Sequence, residues 1–135
     1  MKQRSILFVC HGNICRSVMA EYILKSMAPG IRCESRAVSH EDEGRDIYYS
    51  AKKCLDRHGI AYETHRARVI TQRDYDAFEE IYVMDHENLN MIRWLIDDYD
   101  YKVRMLTGYE IEDPWYTDRF VEVFEQIKEG IENIL

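Results

Sequence analysis

The sequence predicts an α/β fold, a single three-layer domain in which a four-stranded parallel sheet carries helices on both faces. Short apolar segments rich in β-branched residues alternate with longer segments whose apolar residues recur at helical spacing. This βαβα alternation continues to the end of the chain and is typical of a parallel sheet covered by helices. The chain has 135 residues, of which 46% are hydrophobic and 32% charged. It is long enough for one domain with its own core over residues 1–135.

The first predicted element is an apolar strand at residues 5–9, which is followed by a tight loop and a helix. Apolar residues at helical spacing indicate this helix, and the sequence Ala-Pro-Gly at 28–30 ends it. The apolar positions are Val18, Met19, Tyr22, Ile23 and Met27. The next segment, 31–37, alternates well enough for a second strand, which pairs in parallel with the first.

The middle of the chain continues the alternation. A polar loop at 38–45 leads to a helix at 47–58 that ends at Gly59. Its buried side is expected to carry Tyr48, Ala51 and Leu55, with Tyr49 as a further candidate. Thr71 caps a short turn, and residues 81–84 form a buried strand.

The last third of the chain predicts two more helices and one more strand. Asp85 caps a helix whose apolar stripe is Leu89, Ile92, Leu95 and Ile96, and a short strand follows at 102–106. Thr117 caps the final helix. The apolar face of that helix consists of Phe120, Val123, Phe124, Ile127, Ile131 and Leu135, with Ile134 beside it.

The loop between the first strand and the first helix predicts an anion site. It lies within residues 9–21, which read V-C-H-G-N-I-C-R-S-V-M-A-E. The backbone N–H groups of such a loop surround a concavity at the positive end of a helix, where phosphate binds. Gly12 and Asn13 are residue types that accept the left-handed backbone that the loop requires. The predicted phosphate-binding set is His11, Gly12, Asn13, Ile14, Cys15, Arg16 and Ser17.

Two side chains of this loop indicate chemistry as well as binding. Cys10 and Arg16 have the spacing C-x5-R, which turns the arginine back over the opening, where its planar group can hold two oxygens of a tetrahedral anion. This environment favours the thiolate of Cys10 at neutral pH, and Ser17 can donate its hydroxyl to the sulfur. A sulfur below a bound phosphate is placed for in-line attack on phosphorus.

This segment resembles the signature V-C-x-G-N-x-C-R-S-P-M-A-E of the low-molecular-weight protein tyrosine phosphatases. Val18 replaces the usual proline, which costs some preorganisation of the first helical turn but changes none of the reacting groups. The resemblance extends over essentially the whole chain. It implies the fold of that family, a cysteinyl-phosphate intermediate, and a protein substrate that carries phosphotyrosine.

The resemblance also implies three supporting residues. Ser35 matches a serine that hydrogen-bonds the asparagine of the catalytic loop, here Asn13, and His65 matches a histidine of the same network. Asp85 opens the sequence M-D-H-E-N-L, which is similar to the family pattern M-D-x-x-N. We expect Asp85 to cap a helix and to support the loop without taking part directly in the chemistry.

A second motif supplies the general acid. A phenolate with a pKa near 10 leaves far better when an acid protonates it, and Asp113, stiffened by Pro114, is the candidate. Its sequence, D-P-W-Y, resembles the general-acid loop of the family, D-P-[WY]-Y. Trp115 and Tyr116 are expected to form a wall of the cleft opposite Ile14 and to leave a slot for a flat ring.

The substrate pocket is expected to include two residues of the polar loop. In the family this loop commonly carries an aromatic residue that contacts the substrate ring, whereas this sequence has His40 and Glu41. The predicted pocket therefore consists of Ile14, His40, Glu41, Trp115 and Tyr116.

The cysteines predict neither a metal site nor a disulfide framework. Cys10, Cys15, Cys33 and Cys54 form no C-x2-C pair and no cluster with histidines, so no metal and no cofactor are expected. In the resembled family the pair matching Cys10 and Cys15 can close to a disulfide that protects the nucleophile from overoxidation. Simple packing of Cys15 is the equally weighted alternative.

The formal net charge of −7 makes nucleic acid an unfavourable partner. The apolar segments are far too short for membrane insertion, and no export signal is visible, so a cytoplasmic location is expected. We also expect a monomer.

Three other functions compete with the tyrosine phosphatase. Arsenate reductases that depend on thioredoxin need two further cysteines, and no cysteine follows Cys54. Protein arginine phosphatases share both motifs, but those members of the resembled family carry threonine at the position of Ile14. A non-enzymatic phosphopeptide-binding module would not need both a thiolate at the bottom of the phosphate loop and Asp113.

Overall fold

The computed structural model describes residues 3–135. The helices and strands in chain order are β1 (Ser5–Cys10), α1 (Arg16–Met27), β2 (Arg32–Ala37), α2 (Tyr49–Arg57), α3 (Gln72–Ala77), β3 (Glu80–Val83), α4 (His86–Leu95), β4 (Val103–Met105), α5 (Pro114–Thr117) and α6 (Phe120–Ile134). The predicted four-stranded parallel sheet with helices on both faces is confirmed.

The sheet has the strand order β2-β1-β3-β4, so β1 lies in the centre. Its last residue, Cys10, pairs with Ala37 of β2, and Val9 pairs with Val83 of β3. Because all strands are parallel, the carboxyl ends of β1 and β3 meet at one edge of the sheet. Open α/β sheets carry their sites at this edge.

Two apolar cores cover the two faces of the sheet. On one face α1, α2 and α6 pack together against β1, with Phe8, Met19 and Phe124 fully buried. On the other face Tyr75 and Phe78 from the α3 region and Ile92 of α4 pack against β1 and β3. Both faces of β1 are therefore removed from water, which is why this strand is apolar at every position from Ile6 to Val9.

Some predicted helix ends are wrong by a few residues, and two side chains predicted to be buried are exposed. Helix α2 begins at Tyr49, whose side chain is 67% exposed instead of buried. Leu95, expected in the core, is 37% exposed at the end of α4. Thr117 ends the short helix α5 instead of capping α6, because the next residue, Asp118, has a φ of +60° that interrupts the helical path. Arg119 occupies the N-cap position of α6.

Two predicted caps are present. Thr71 accepts a hydrogen bond from the backbone of Asp74, and the Asp74 side chain accepts one from the backbone of Thr71, which together form a capping box on α3. The Asp85 side chain accepts a hydrogen bond from Asn88 N at the start of α4. Between residues 3 and 135, no helix combines the length and the apolar character needed to cross a membrane.

Candidate active site

The loop between β1 and α1 folds around the sulfur of Cys10. Cys10 Sγ lies 3.3 Å from the backbone nitrogen of Asn13 and 3.4 Å from that of Ser17, and both N–H groups donate to it. Ser17 Oγ is 3.0 Å from the same sulfur. Two backbone N–H groups and one hydroxyl therefore contact the buried sulfur.

Asn13 fixes the shape of this loop. Its φ of +61° is the left-handed conformation predicted for this position. Its side-chain amide donates to Ser17 Oγ at 2.8 Å and to Ser35 Oγ at 2.9 Å. Its backbone oxygen accepts from His65 Nε2 at 2.7 Å. Because Ser17 Oγ already accepts from Asn13, the hydroxyl hydrogen of Ser17 is free to point at the sulfur of Cys10.

Glu21 belongs to the same network and was not among the residues predicted for the site. The Ser35 hydroxyl donates to Glu21 Oε1 at 2.6 Å, and Lys25 Nζ lies 2.5 Å from Glu21 Oε2. The Glu21 carboxylate, which is buried, is thus linked through Ser35 to the amide of Asn13. Glu21 is the last residue of the segment that predicted the site, so its place in that motif was the available signal.

Arg16 starts α1 and is only 2% exposed. Its Nη1 donates to Asp85 Oδ2 at 2.7 Å and to the backbone oxygen of Ile111 at 2.8 Å, while its Nη2 lies 3.5 Å from Asp113 Oδ2. Burial alone would lower the pKa of Arg16, but the negative charges of Cys10, Asp113 and Asp85 hold it above the ordinary value. The guanidinium is therefore a buried cation in the same cleft as the sulfur of Cys10.

Gly12 is required for a different reason from the one predicted. Its φ is not in the left-handed region, whereas that of Asn13 is. A Cβ atom at Gly12 would collide with the carboxylate of Asp42. The absent side chain thus allows Asp42, which was not predicted as a site residue, to approach the loop closely.

The general-acid candidate lies across the cleft from the loop. Asp113 Oδ1 accepts a hydrogen bond from Trp115 N at 3.0 Å at the start of α5, where Pro114 is the first helical residue. The other oxygen, Oδ2, points toward Arg16. The carboxylate is 23% exposed, so it can contact both a substrate in the cleft and water.

Most of the residues that were predicted for the site line the cleft above Cys10. Trp115 packs edge-on against Tyr48, with ring centroids 4.7 Å apart, and this contact steadies the aromatic wall. The residues that line the cleft are Cys10, His11, Gly12, Ile14, Cys15, Arg16, Glu41, Asp42, Asp113, Trp115 and Tyr116.

His40 is an exception among the predicted pocket residues, because it is not part of this lining. Its side chain is exposed and pairs with Glu43, with Nδ1 and Oε2 2.7 Å apart. The expectation that His40 contributes to the pocket is therefore wrong. Glu41 and Asp42, its neighbours in the polar loop, face the cleft instead.

Cys15 is a buried thiol behind the loop. Burial and then the negative charge of Cys10 raise the pKa of Cys15, so it remains protonated at neutral pH. Cys10 and Cys15 are both unpaired in this structure. Among residues 3–135 no group of three His, Cys, Asp or Glu side chains has the arrangement of a metal site.

The arrangement has the parts of a nucleophilic phosphoryl transfer. A buried sulfur accepts from two backbone N–H groups of the loop, and a buried guanidinium and a carboxyl group line the same cleft. Positioning and electrostatic stabilisation of this kind are the main contributions that proteins make to phosphoryl transfer.

Comparison with known proteins connects this geometry to a family. The model of the family described as low molecular weight phosphotyrosine protein phosphatase matches residues 5–135. The low molecular weight protein-tyrosine-phosphatase YfkJ of Bacillus subtilis is 33% identical, and the match covers 97% of this chain and 93% of the relative. The human low molecular weight phosphotyrosine protein phosphatase is 34% identical over 91% of this chain and 88% of its own.

A solved structure agrees with the sequence matches. The crystal structure of the low molecular weight protein tyrosine phosphatase SP-PTP from Streptococcus pyogenes superimposes with a TM-score of 0.91. The match has 32% sequence identity and covers 98% of this chain and 91% of that structure. Sequence and fold therefore agree over nearly the full length.

Proposed function

The chain belongs to the low molecular weight phosphotyrosine protein phosphatase family, and on that premise we propose that it hydrolyses phosphotyrosine in proteins, and small aryl phosphates, through a cysteinyl-phosphate. The observation that carries this proposal is the pairing of two groups across one cleft. Cys10 Sγ accepts two backbone N–H bonds at the bottom, and Asp113 stands opposite, 3.5 Å from the guanidinium of Arg16.

In the first step the Cys10 thiolate attacks phosphorus in line with the bond to the aryl oxygen. A sulfur–phosphorus bond forms, the phosphorus–oxygen bond breaks, and Asp113 gives its proton to the leaving phenolate. Arg16 and the loop N–H groups hold the other phosphoryl oxygens, where negative charge is concentrated in the transition state. Asn13 and Ser17 keep the loop in the shape that this requires.

In the second step a water molecule attacks the phosphorus of the cysteinyl-phosphate. The Asp113 carboxylate takes a proton from this water, the phosphorus–sulfur bond breaks, and inorganic phosphate leaves. Ser17 stabilises the returning thiolate through its hydroxyl, which lies 3.0 Å from the sulfur. Asp113 ends the cycle protonated and ready for the next substrate.

The residues that line the cleft favour an aromatic substrate. Ile14 lines the cleft together with Trp115 and Tyr116, which is an apolar setting that suits a phenyl ring. A protein arginine phosphatase is the second candidate, because phosphoguanidinium could reach the same sulfur. The apolar side chain of Ile14 favours the phenyl ring over that more polar group.

We further propose that the reaction needs no metal and no other cofactor, because Arg16 and the loop N–H groups supply the positive charge for the phosphoryl oxygens. The four unpaired cysteine thiols support a reducing, cytoplasmic location. A net charge of −7 disfavours association between copies, which supports a monomer.

Phosphate release from matched phosphotyrosine, phosphoarginine and phosphoserine peptides tests the proposal, with a metal chelator present and Cys10→Ser as the blank. We expect release from phosphotyrosine that disappears in Cys10→Ser. Faster release from phosphoarginine would change the proposed substrate class to phosphoarginine and leave the proposed mechanism unchanged. Binding of the peptides without turnover of any of them would contradict an enzymatic function.

A further inference from the structure

The mouth of the cleft is acidic, although the bottom of the cleft is built to hold an anion. Glu41 and Asp42 both line the cleft on the side of the loop at 38–45. The Glu41 side chain is 72% exposed, so its charge is available to any chain that lies across the mouth. The carboxylate of Asp42 is packed against Gly12 of the phosphate loop.

A third carboxylate, that of Glu87, lies next to His11, a residue of the cleft lining. Glu87, in the first turn of α4, places Oε1 3.8 Å from His11 Nδ1, while Glu41 Oε2 lies 3.1 Å from His11 Nε2. Glu41 and Glu87 therefore stand on either side of one cleft residue, His11. Both carboxylates are largely exposed at the rim.

Two further carboxylates lie in the segment that precedes Asp113, whose Ile111 backbone oxygen accepts from Arg16. Glu112 precedes the general-acid candidate directly, and Glu110 Oε1 lies 2.5 Å from Nδ1 of His86, the first residue of α4. We call Glu41, Asp42, Glu87, Glu110 and Glu112 the acidic rim. Trp115 and Tyr116 also line the cleft.

Arginines offset part of this charge. Arg45 Nη1 lies 2.7 Å from Asp42 Oδ1, and Arg119 Nε lies 3.5 Å from Glu112 Oε1. Glu41, Glu87 and Glu110 contact histidines instead of arginines or lysines. The acidic rim thus has five carboxylates against two arginines, an excess of negative charge near the buried cation of Arg16.

We propose that the acidic rim selects phosphotyrosine substrates with lysine or arginine beside the phosphotyrosine and rejects those with acidic neighbours; this rests on the proposed function. The phosphoryl group is neutralised at the bottom by Arg16 and the loop N–H groups. The residues that flank it must cross the rim, where the facing charges are carboxylates. Complementary charge at such a position raises the association rate and penalises the wrong sequence.

Steady-state kinetics on three phosphotyrosine peptides of equal length tests this, with lysine and arginine, with glutamine and serine, or with glutamate and aspartate around the phosphotyrosine. We expect kcat/KM to fall in that order, with about tenfold or more between the basic and the acidic peptide at low ionic strength. The ratio should shrink as salt is added, because exposed charges are screened. Equal values for all three peptides, or preference for the acidic one, would overturn the proposal.

Two variants shift the same ratio in opposite directions. Glu41→Gln removes a rim charge and should lower the ratio of basic to acidic kcat/KM by about threefold. Arg45→Gln removes the cation beside Asp42 and should raise it by a similar factor. Glu129→Gln, an exposed change on α6, is the matched control and should leave the ratio unchanged. A basic preference that neither Glu41→Gln nor Arg45→Gln alters would also overturn the proposal.

Binding separates this inference from the phosphatase function itself. The three peptides are titrated against Cys10→Ser and followed by fluorescence anisotropy, which ranks them without turnover. If wild-type protein hydrolyses no peptide, the phosphatase function fails, and the order of binding still decides whether the acidic rim selects basic neighbours. If all peptides are hydrolysed and bound equally, the phosphatase function holds and the selectivity fails.

Discussion

At the scale of single residues, the carboxylate of Asp113 has a different environment at each oxygen. One oxygen accepts the N–H of Trp115, and the other faces Arg16 at 3.5 Å across the cleft. Asp113→Asn keeps an acceptor for Trp115 N, but the amide has no acidic proton to give to the leaving phenolate. We expect it to slow hydrolysis of phenyl phosphate by about 10²-fold, and to slow that of a phosphate with a more acidic phenol much less.

The leaving-group series is the measurement for Asp113, since a loss of general acid is visible only when the leaving oxygen needs a proton. Asp118→Asn serves as the matched control, because it changes an exposed carboxylate just after the same short helix. An Asp113→Asn variant that slowed all aryl phosphates equally would indicate a role in binding instead of proton transfer.

His65, which contacts the catalytic loop, makes the stability of the folded chain depend on pH. Burial lowers the pKa of His65 below its ordinary value of about 6.5, even though the side chain donates a hydrogen bond to the backbone oxygen of Asn13. The unfolded chain therefore binds a proton at His65 at a pH where the folded chain does not. We expect the free energy of unfolding to fall as the pH drops below about 6.5, and this loss to be complete below the pKa of folded His65.

Urea denaturation between about pH 8 and about pH 5, in wild type and in His65→Gln, isolates this contribution. Glutamine can still donate to Asn13 O but does not titrate, and the other histidines are common to both proteins. The stability of His65→Gln should decline less over this range. An equal decline in both proteins would show that His65 has the same pKa in the folded and unfolded chains.

At the scale of secondary-structure elements, α6 packs against the end of β4 through a glycine. A Cβ atom at Gly130 would lie 2.9 Å from Leu106 Cγ and 2.9 Å from Thr107 Cγ2, closer than real contacts allow. Helix propensity alone favours alanine over glycine by about 1 kcal/mol. We expect overpacking to outweigh it, so that Gly130→Ala lowers the free energy of unfolding by about 1 kcal/mol or more.

Thermal or urea unfolding measures this change, with Glu129→Ala as the control on the exposed side of the same helix. Glu129→Ala should stay within about 0.5 kcal/mol of wild type. A stabilised Gly130→Ala would mean that α6 can move away from Leu106 at little cost.

The existence of the elements follows from the sequence more securely than their ends. The apolar residues of β1 and the spacing of Val123 and Ile127 in α6 are set by burial, which leaves a periodic pattern. The break between α5 and α6 depends instead on the left-handed backbone of Asp118, a residue type that also occurs in ordinary helical turns. Such a choice is made by tertiary packing and leaves no periodic signal.

At the scale of the whole molecule, the site is an assembly of distant segments. The sequence motif predicted Cys10 and Arg16, because both lie in one short loop whose residue types are required by its chemistry. The link from Glu21 through Ser35 to Asn13 depends on β2 lying beside β1, which is a property of the sheet. The outward direction of His40 depends on loop geometry and could not be inferred from residue type.

We expect anion binding at the assembled site to stabilise the whole fold. A ligand that binds only the folded chain adds RT ln(1 + [L]/Kd), about 2.7 kcal/mol when its concentration is 100 times Kd. We propose that inorganic phosphate contacts the loop N–H groups and Arg16, none of which needs the sulfur to react. We therefore expect added phosphate to raise the unfolding temperature of wild type and of Cys10→Ser by similar amounts, while only wild type turns over substrate.

Differential scanning calorimetry at increasing phosphate concentration measures this coupling, with sodium chloride at matched ionic strength to separate binding from screening. Arg16→Lys provides the contrast, because lysine retains the charge next to Asp85 and Asp113 but cannot hold two oxygens with one planar group. Its unfolding temperature should respond less to phosphate. If Cys10→Ser lost the response that wild type shows, the sulfur would be part of the binding site itself, and the separation of anion binding by the loop from attack by Cys10 would be wrong.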